Sequence, residues 1–363
     1  MTSRAAIVGV GQTVHAPNRP DVDYSELVHE AVKAALADAG IGLLDIDNSV
    51  TAAMDFWDGR TIANMSTAEV VGSYLKSEAR VCADAIGALT YGWTRIADSS
   101  FKIGLVVAHC KESAGNLHDI ENAGFDPFSE RRLDADGDVV AGLIARSLES
   151  AEKLDLEEAA TLVAAGRRVS STHAELTALD NVDAAAIRDA PMLADPLTVL
   201  DKAPQADGAA ALVLVAEEAV GDFSHDPVWV TGVGSSTDRY WTHRDLTSFD
   251  AVTAAGDRAR TMAGWGTDSP DLVETSAQFS FQLAPYANAL GWTADNNTAL
   301  NTSGGWHAGN PYIVTGLSRV IEGVRQLRGS AGDRQLSDVQ RVLAHGTSGM
   351  GGQAQFVAAL ERG

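Results

Sequence analysis

What most constrains this chain is the alternation of strongly apolar runs with segments of helical period. The run LVVAHC, residues 105–110, and the run ALVLVA, residues 211–216, carry apolar side chains on both faces of a strand. Strands of that kind must be covered on both sides, which calls for layers. Between such runs lie segments such as SELVHEAVKAALADAG, residues 25–40, whose apolar residues recur at helical spacing and stop at Gly40. Strands alternating with helices imply a layered α/β domain around a central sheet.

The chain opens with AAIVGVGQT, read as an apolar strand running into a tight glycine turn. The third glycine and the acidic residue of a dinucleotide fingerprint are missing. IDNSVTAAM (46–54) reads as a strand, RVCADAIGALTYGWTRIADS (80–99) as a helix, and KIGLVVAHCKES (102–113) as a further strand. Residues 114–190 break the rhythm with polar turns and two amphipathic helices, LEEAATLVAAGRRV among them, and read as an insertion over the sheet. The rhythm returns at DGAAALVLVAEEAV, and DPVWVTGVGSS begins a second series of the same kind. Two series in the same order predict an internal duplication packed face to face, with halves at 1–220 and 221–363.

The formal net charge of -22, from 27 basic and 49 acidic residues, opposes nucleic acid and anionic membranes as partners. An anionic ligand then needs a local basic pocket. No run approaches the roughly 18 apolar residues of a membrane span. Two cysteines cannot build a disulfide framework, and no positively charged start leads into an apolar run, so the cytoplasm is the expected compartment.

DGAAALVLV, the NTSGG element at 301–305, the following E-x-x-x-QLRG helix and the ending AHGTSGMGG together resemble the thiolase superfamily, in particular its sterol-carrier or lipid-transfer type, the acetyl-CoA acetyltransferase-like branch. The resemblance runs from AAIVGVGQT to GMGGQ. It implies duplicated βαβαβαββ halves stacked in five layers (αβαβα), a loop domain inserted in the first half, and a homodimer. Coenzyme A enters as the thioester substrate, with no permanently bound cofactor and no metal. Relatives of this branch resemble proteins that work with a small OB-fold, zinc-ribbon partner.

The resemblance also implies a site. The family pattern C-A-S-G-x-x-A-L matches Cys82-Ala83-Asp84-Ala85-Ile86-Gly87-Ala88-Leu89, making Cys82 the nucleophile position. A thiol at a helix N-terminus gains thiolate character from the unpaired N–H groups there; read from the residues alone, a small buried cysteine is the alternative. The family's G-H-P reads Gly309-Asn310-Pro311, and Asn310 can orient or donate to an oxyanion without taking a proton. Its H-D-x-F or N-E-A-F motif reads Ser276-Ala277-Gln278-Phe279. Its C-terminal acid/base position falls on His345, with Thr347 and Ser348 as added hydroxyls. His307 of GGWHAGNP is the alternative base. Cys110, ending LVVAHC, is read as a packing residue, and the loop DFWDGRTIANM (55–65) shapes either an acyl pocket or an interface.

The expected function is an acyl-CoA C-acyltransferase that makes or cleaves a carbon–carbon bond of a β-ketoacyl thioester through a Cys82 acyl-enzyme. Two alternatives stay open: a retro-aldolase acting on a β-hydroxyacyl-CoA without a cysteine nucleophile, and a non-catalytic thiolase-like subunit of a larger complex.

Overall fold

The computed structural model describes residues 4–266 and 268–363. The opening run forms a fully buried strand, β1 (Ala5–Gln12). Gly9 and Gly11 lie inside this strand rather than in the expected turn, and the reason is contact. A Cβ on Gly9 would stand 2.4 Å from the Ala35 carbonyl oxygen, and one on Gly11 2.4 Å from the Ala35 nitrogen. Only glycine lets helix α1 (Tyr24–Ala39) lie directly on the strand. A capping box between Asp23 and Glu26 starts α1, and Gly40 at φ 73° ends it. Its stripe of Leu27, Val28, Ala31, Val32 and Ala35 covers the outer sheet face.

The chain continues through β2 (Asn48–Ala52), β3 (Ser77–Val81), helix α2 (Ala85–Ala97) and β4 (Ile103–Lys111). Residues 112–206 then leave the sheet and carry α3 (Leu117–Ala123), α4 (Gly137–Ser150) and α5 (Leu156–Val169). The chain re-enters the sheet at β5 (Asp207–Ala216), antiparallel to both β4 and β1. Asp155 starts α5 by accepting from the N–H groups of Glu157 and Glu158.

A second series follows: β6 (Val228–Thr237), α6 (Asp250–Ala263), β7 (Leu272–Glu274), α7 (Leu283–Ala289), β8 (Ala299–Leu300), α8 (Thr315–Arg328), β9 (Arg341–Ser348) and β10 (Ala354–Arg362). The spatial order 1-5-4-2-3 recurs as 6-10-9-7-8, with the same pattern of parallel and antiparallel neighbours. The glycine device recurs as well. Cβ atoms on Gly232 and Gly234 of β6 would stand 2.1 Å and 2.0 Å from the carbonyl oxygens of Ala259 and Ala255 in α6. The two series meet where β1 runs antiparallel to β6, at Ala6 against Trp229 and Ile7 against Val228.

Helices α2 and α8, counterparts in the two series, form the central layer. Ile86, Leu89 and Ile96 of α2 and Leu317, Val320, Ile321 and Val324 of α8 share one core with Ile7, Val106 and Leu212 of the first series and Val342 and Leu360 of the second. Each such side chain contributes about 1.5–3 kcal/mol by leaving water. The outer faces are covered by α1 on one side and by α6 and α7 on the other, which completes the five α/β layers of the thiolase fold. Among the described residues no helix is long and apolar enough to cross a membrane.

One expected boundary moves. The helix read from residue 80 onward begins at Ala85, because Asp84 caps it by accepting the Ile86 N–H at 2.9 Å. Arg80 and Val81 complete β3, and Cys82 lies in the bend between.

Candidate active site

Near the start of α8 lies a cleft of two adjoining lobes, of about 170 and 390 Å³. Trp57, Glu121 and Gln278 border both. The smaller lobe is mainly apolar, with Met54, Ile120, Ala141, Phe279, Phe281 and Met350 in its wall, and its rim is the glycine turn 349–352. The larger lobe is the more polar of the two: Glu112, Asp138, Lys202 and Arg167 line it together with Leu117, Leu193, Val199 and Trp306.

The insertion supplies one wall and the core the other. Trp57 comes from the short helical turn Asp55–Asp58 after β2, and Tyr312 from the segment leading into α8. Their rings stack at 4.4 Å, and Trp306 leans on Tyr312 from another side at 5.3 Å. The Tyr312 hydroxyl accepts from the Gly349 N–H at 3.3 Å, while its backbone N–H donates to Glu112 Oε1 at 2.7 Å. Burial pushes the phenol pKa up and lifts Glu112 to about 8 against the pull of that N–H. Gln282 holds the 278–279 turn by accepting from the N–H groups of Gln278 and Phe279 at 2.9 and 3.0 Å. Lys202 pairs with Asp138 at 2.6 Å.

Glu121 stands on α3 at the junction of the lobes. Its Oε2 accepts the Gly137 N–H at 2.9 Å; its Oε1 makes no hydrogen bond among the described residues. Burial raises its pKa, opposed by the Lys202 charge.

The residues singled out in the sequence fall outside this lining. Cys82 is exposed in its bend, two residues before the cap of α2; Cys110 is buried, and burial with Glu112 and Asp58 nearby raises its thiol pKa. Asn310 is buried with both ends of its amide engaged: Oδ1 meets His15 Nδ1 at 3.0 Å and Nδ2 donates to the Gly305 carbonyl at 2.9 Å. On β9, Ala344 faces the central helices, so His345 points to the opposite face of the sheet. There its Nδ1 accepts the Ser276 N–H at 3.3 Å, which leaves the proton on Nε2 to donate to Gln355 Oε1 at 2.7 Å. Burial lowers its pKa to about 4. Thr347 donates to the Ala354 carbonyl on the same strand pair. His307 lies in a separate groove beside Gly166 and Val169 of α5, its pKa lowered to about 3 by burial and by Arg167.

Ser276, Ser348 and Asp84 do come together where α2 and α8 converge. Ser276 Oγ is 3.3 Å from Thr315 Oγ1 at the start of α8, and Ser348 Oγ accepts the Asp84 N–H at 2.6 Å. The Asp84 carboxylate accepts from Ile86 at the head of α2 and from Gly316, at 3.2 Å, at the head of α8. It is fully buried, which lifts its pKa to about 7.

Trp57 comes from the 55–65 loop that the sequence offered as an acyl-pocket or interface element, whereas Tyr312, Glu112 and Glu121 were missed as site residues. Tyr312 carried a signal, since it directly follows Gly309-Asn310-Pro311; Glu121 carried none, because it sits in a polar stretch without periodicity.

Comparison with known proteins agrees with the strand order. The family model described as thiolase C-terminal domain-like matches residues 285–362. An acetyl-CoA acetyltransferase of Methanothermobacter thermautotrophicus is 27% identical over 96% of this chain and 97% of its own. A steroid side-chain-cleaving aldolase of Thermomonospora curvata is 25% identical over 96% of this chain and 95% of its own. The solved Ltp2-ChsH2(DUF35) aldolase superposes with a TM-score of 0.84 at 22% identity, covering 99% of this chain and 98% of that one. The duplicated five-layer core has the thiolase fold, and along nearly its whole length the chain is similar to thiolase-superfamily proteins.

Proposed function

We propose that this enzyme makes or breaks a carbon–carbon bond of an acyl-CoA thioester, with the acyl part in the apolar lobe and the amide-bearing arm of coenzyme A along the polar lobe. Of the two reactions that fit this description, the geometry favours retro-aldol cleavage of a β-hydroxyacyl-CoA. One observation carries that preference: the titratable groups of the cleft are carboxyls, a phenol, Lys202 and Arg167, while both cysteines lie outside it. Retro-aldol cleavage needs proton transfer and a place for the enolate oxygen, and no covalent intermediate. The relative named as a steroid side-chain-cleaving aldolase supports this reading.

Acyl transfer through Cys82 is the second reading, supported by the 27% identical acetyltransferase. In that reaction Cys82 is the nucleophile and Asn310 and His345 act with it. Incubation with β-hydroxyacyl-CoA thioesters, followed by mass spectrometry of the products and of the intact protein, separates the two. Cleavage gives a carbonyl compound and a shortened acyl-CoA; acyl transfer leaves an acyl adduct on Cys82.

We further propose a homodimer formed through the free edge of β3, the last strand of the sheet, and a small OB-fold, zinc-ribbon partner. The solved pairing of Ltp2 with ChsH2(DUF35) supports a partner. Light scattering on the chain alone and with a candidate partner tests both. The cytoplasm is the compartment proposed, consistent with two unpaired thiols.

A further inference from the structure

Among the described residues, Glu121 is the one titratable side chain shared by the two lobes. Its carboxyl accepts Gly137 N–H on Oε2, and among the described residues no hydrogen bond reaches Oε1. The neighbouring charges are Lys202, Asp138 and Asp136, and Lys202 is itself neutralised by Asp138. Glycine at 137 lets the carboxyl come close to the backbone, since a Cβ there would stand 2.8 Å from Oε2. A substrate whose acyl part fills the apolar lobe and whose thioester arm follows the polar lobe must pass its reacting carbons across this junction.

We propose that Glu121 is the acid–base residue of the cleft, moving one proton between the β-hydroxyl and the α-carbon of the substrate through Oε1. This rests on the carbon–carbon reading above. The carboxylate takes the β-hydroxyl proton, the oxygen's electrons form the new C=O bond, and the Cα–Cβ bond breaks with its electron pair passing into the thioester enolate. The carboxylic acid then returns the same proton to Cα. Atoms and charge balance without an oxidant, a metal or an added nucleophile. A carboxyl lifted above its ordinary range by burial suits both halves, since it must hold a proton and release it within one turnover.

The test uses two readouts on the whole protein with Glu121→Gln, whose amide oxygen still accepts from Gly137 N–H. One is cleavage of β-hydroxyacyl-CoA; the other is exchange of the α-protons of the shortened acyl-CoA with D₂O. The variant should lose about 100-fold to 10,000-fold in both, with the acid limb of the pH–rate profile gone and partial recovery in Glu121→Asp. Exchange by the parent but not by the variant supports Glu121 even if the parent cleaves nothing, and in that case the retro-aldol reading alone fails. A parent that exchanges no α-proton, or a Glu121→Gln protein that exchanges as fast as the parent, overturns the proposal.

Discussion

Trp57 and Tyr312 lie face to face, planes 12° from parallel, and Trp57 is the aromatic side chain that borders both lobes of the cleft. Removing the indole should merge the lobes. Trp57→Ala is expected to shift kcat/KM toward longer or branched acyl groups, measured across a chain-length series. It should also lower stability by about 3–5 kcal/mol, the usual cost of deleting a large buried aromatic. Trp57→Phe keeps a ring on Tyr312 and should retain most of both.

The two cysteines should behave oppositely toward a thiol reagent. In the native chain Cys82 is expected to react and Cys110 to stay protected until denaturant is added, read by intact mass. Cys82→Ala should keep retro-aldol cleavage within about twofold of the parent. A large loss in that variant, with an acyl adduct on the parent's Cys82, would return the reaction to the acyl-transfer class.

Asp84 joins the heads of two helices through its carboxylate. Its side chain leaves no space on the facing elements: a Cβ on Gly316 would stand 2.1 Å from it, and one on Gly346 closer still. Gly346→Ala should therefore fail to fold at 37 °C, and pairing it with Asp84→Gly should recover folded protein. The carboxyl's native pKa, about 7, lies above its unfolded value of 3.8. The folded chain thus binds this proton more tightly than the unfolded chain. Its contribution to stability is full below the unfolded pKa and is lost as pH rises toward 7, at up to about 1.4 kcal/mol per pH unit. Asp84→Asn should remove that slope in urea titrations between pH 4 and 7.

His345 gives the opposite slope. Its pKa falls from 6.5 to about 4 on folding, so the unfolded chain binds the proton more tightly. Stability from this residue is full above pH 6.5 and declines as pH drops toward 4. His345→Gln, which can still accept from Ser276, should flatten the decline, and NMR should show the native imidazole neutral and protonated at Nε2 at pH 6.

The architecture was legible because layers leave a periodic signature. LVVAHC and ALVLVA mark strands covered on both faces, and SELVHEAVKAALADAG announces its own stop at Gly40. Gly9 and Gly11 misled, since glycine admits a close neighbour as readily as it makes a turn, and only the position of Ala35 decides between them. The head of α2 was misplaced because Asp84 reads as a polar interruption until its carboxylate is seen capping the helix. The cleft was the least legible part. Trp57, Glu121, Gln278 and Tyr312 lie far apart in sequence on short turns and on a seven-residue helix, without a shared period, and only the chain path brings them together.

The shared central layer bears on how such a chain can arise. Each series of five strands brings one inner face and one helix, α2 or α8, to a core that it cannot close by itself. A polypeptide of one series alone would hold that face and helix in water unless it met a second copy of itself. The 363-residue chain is such a pair carried on one backbone. The two series differ in their connections: the first carries the long insertion that walls the cleft, and the second has the shorter connections and supplies Tyr312 and the glycine turn.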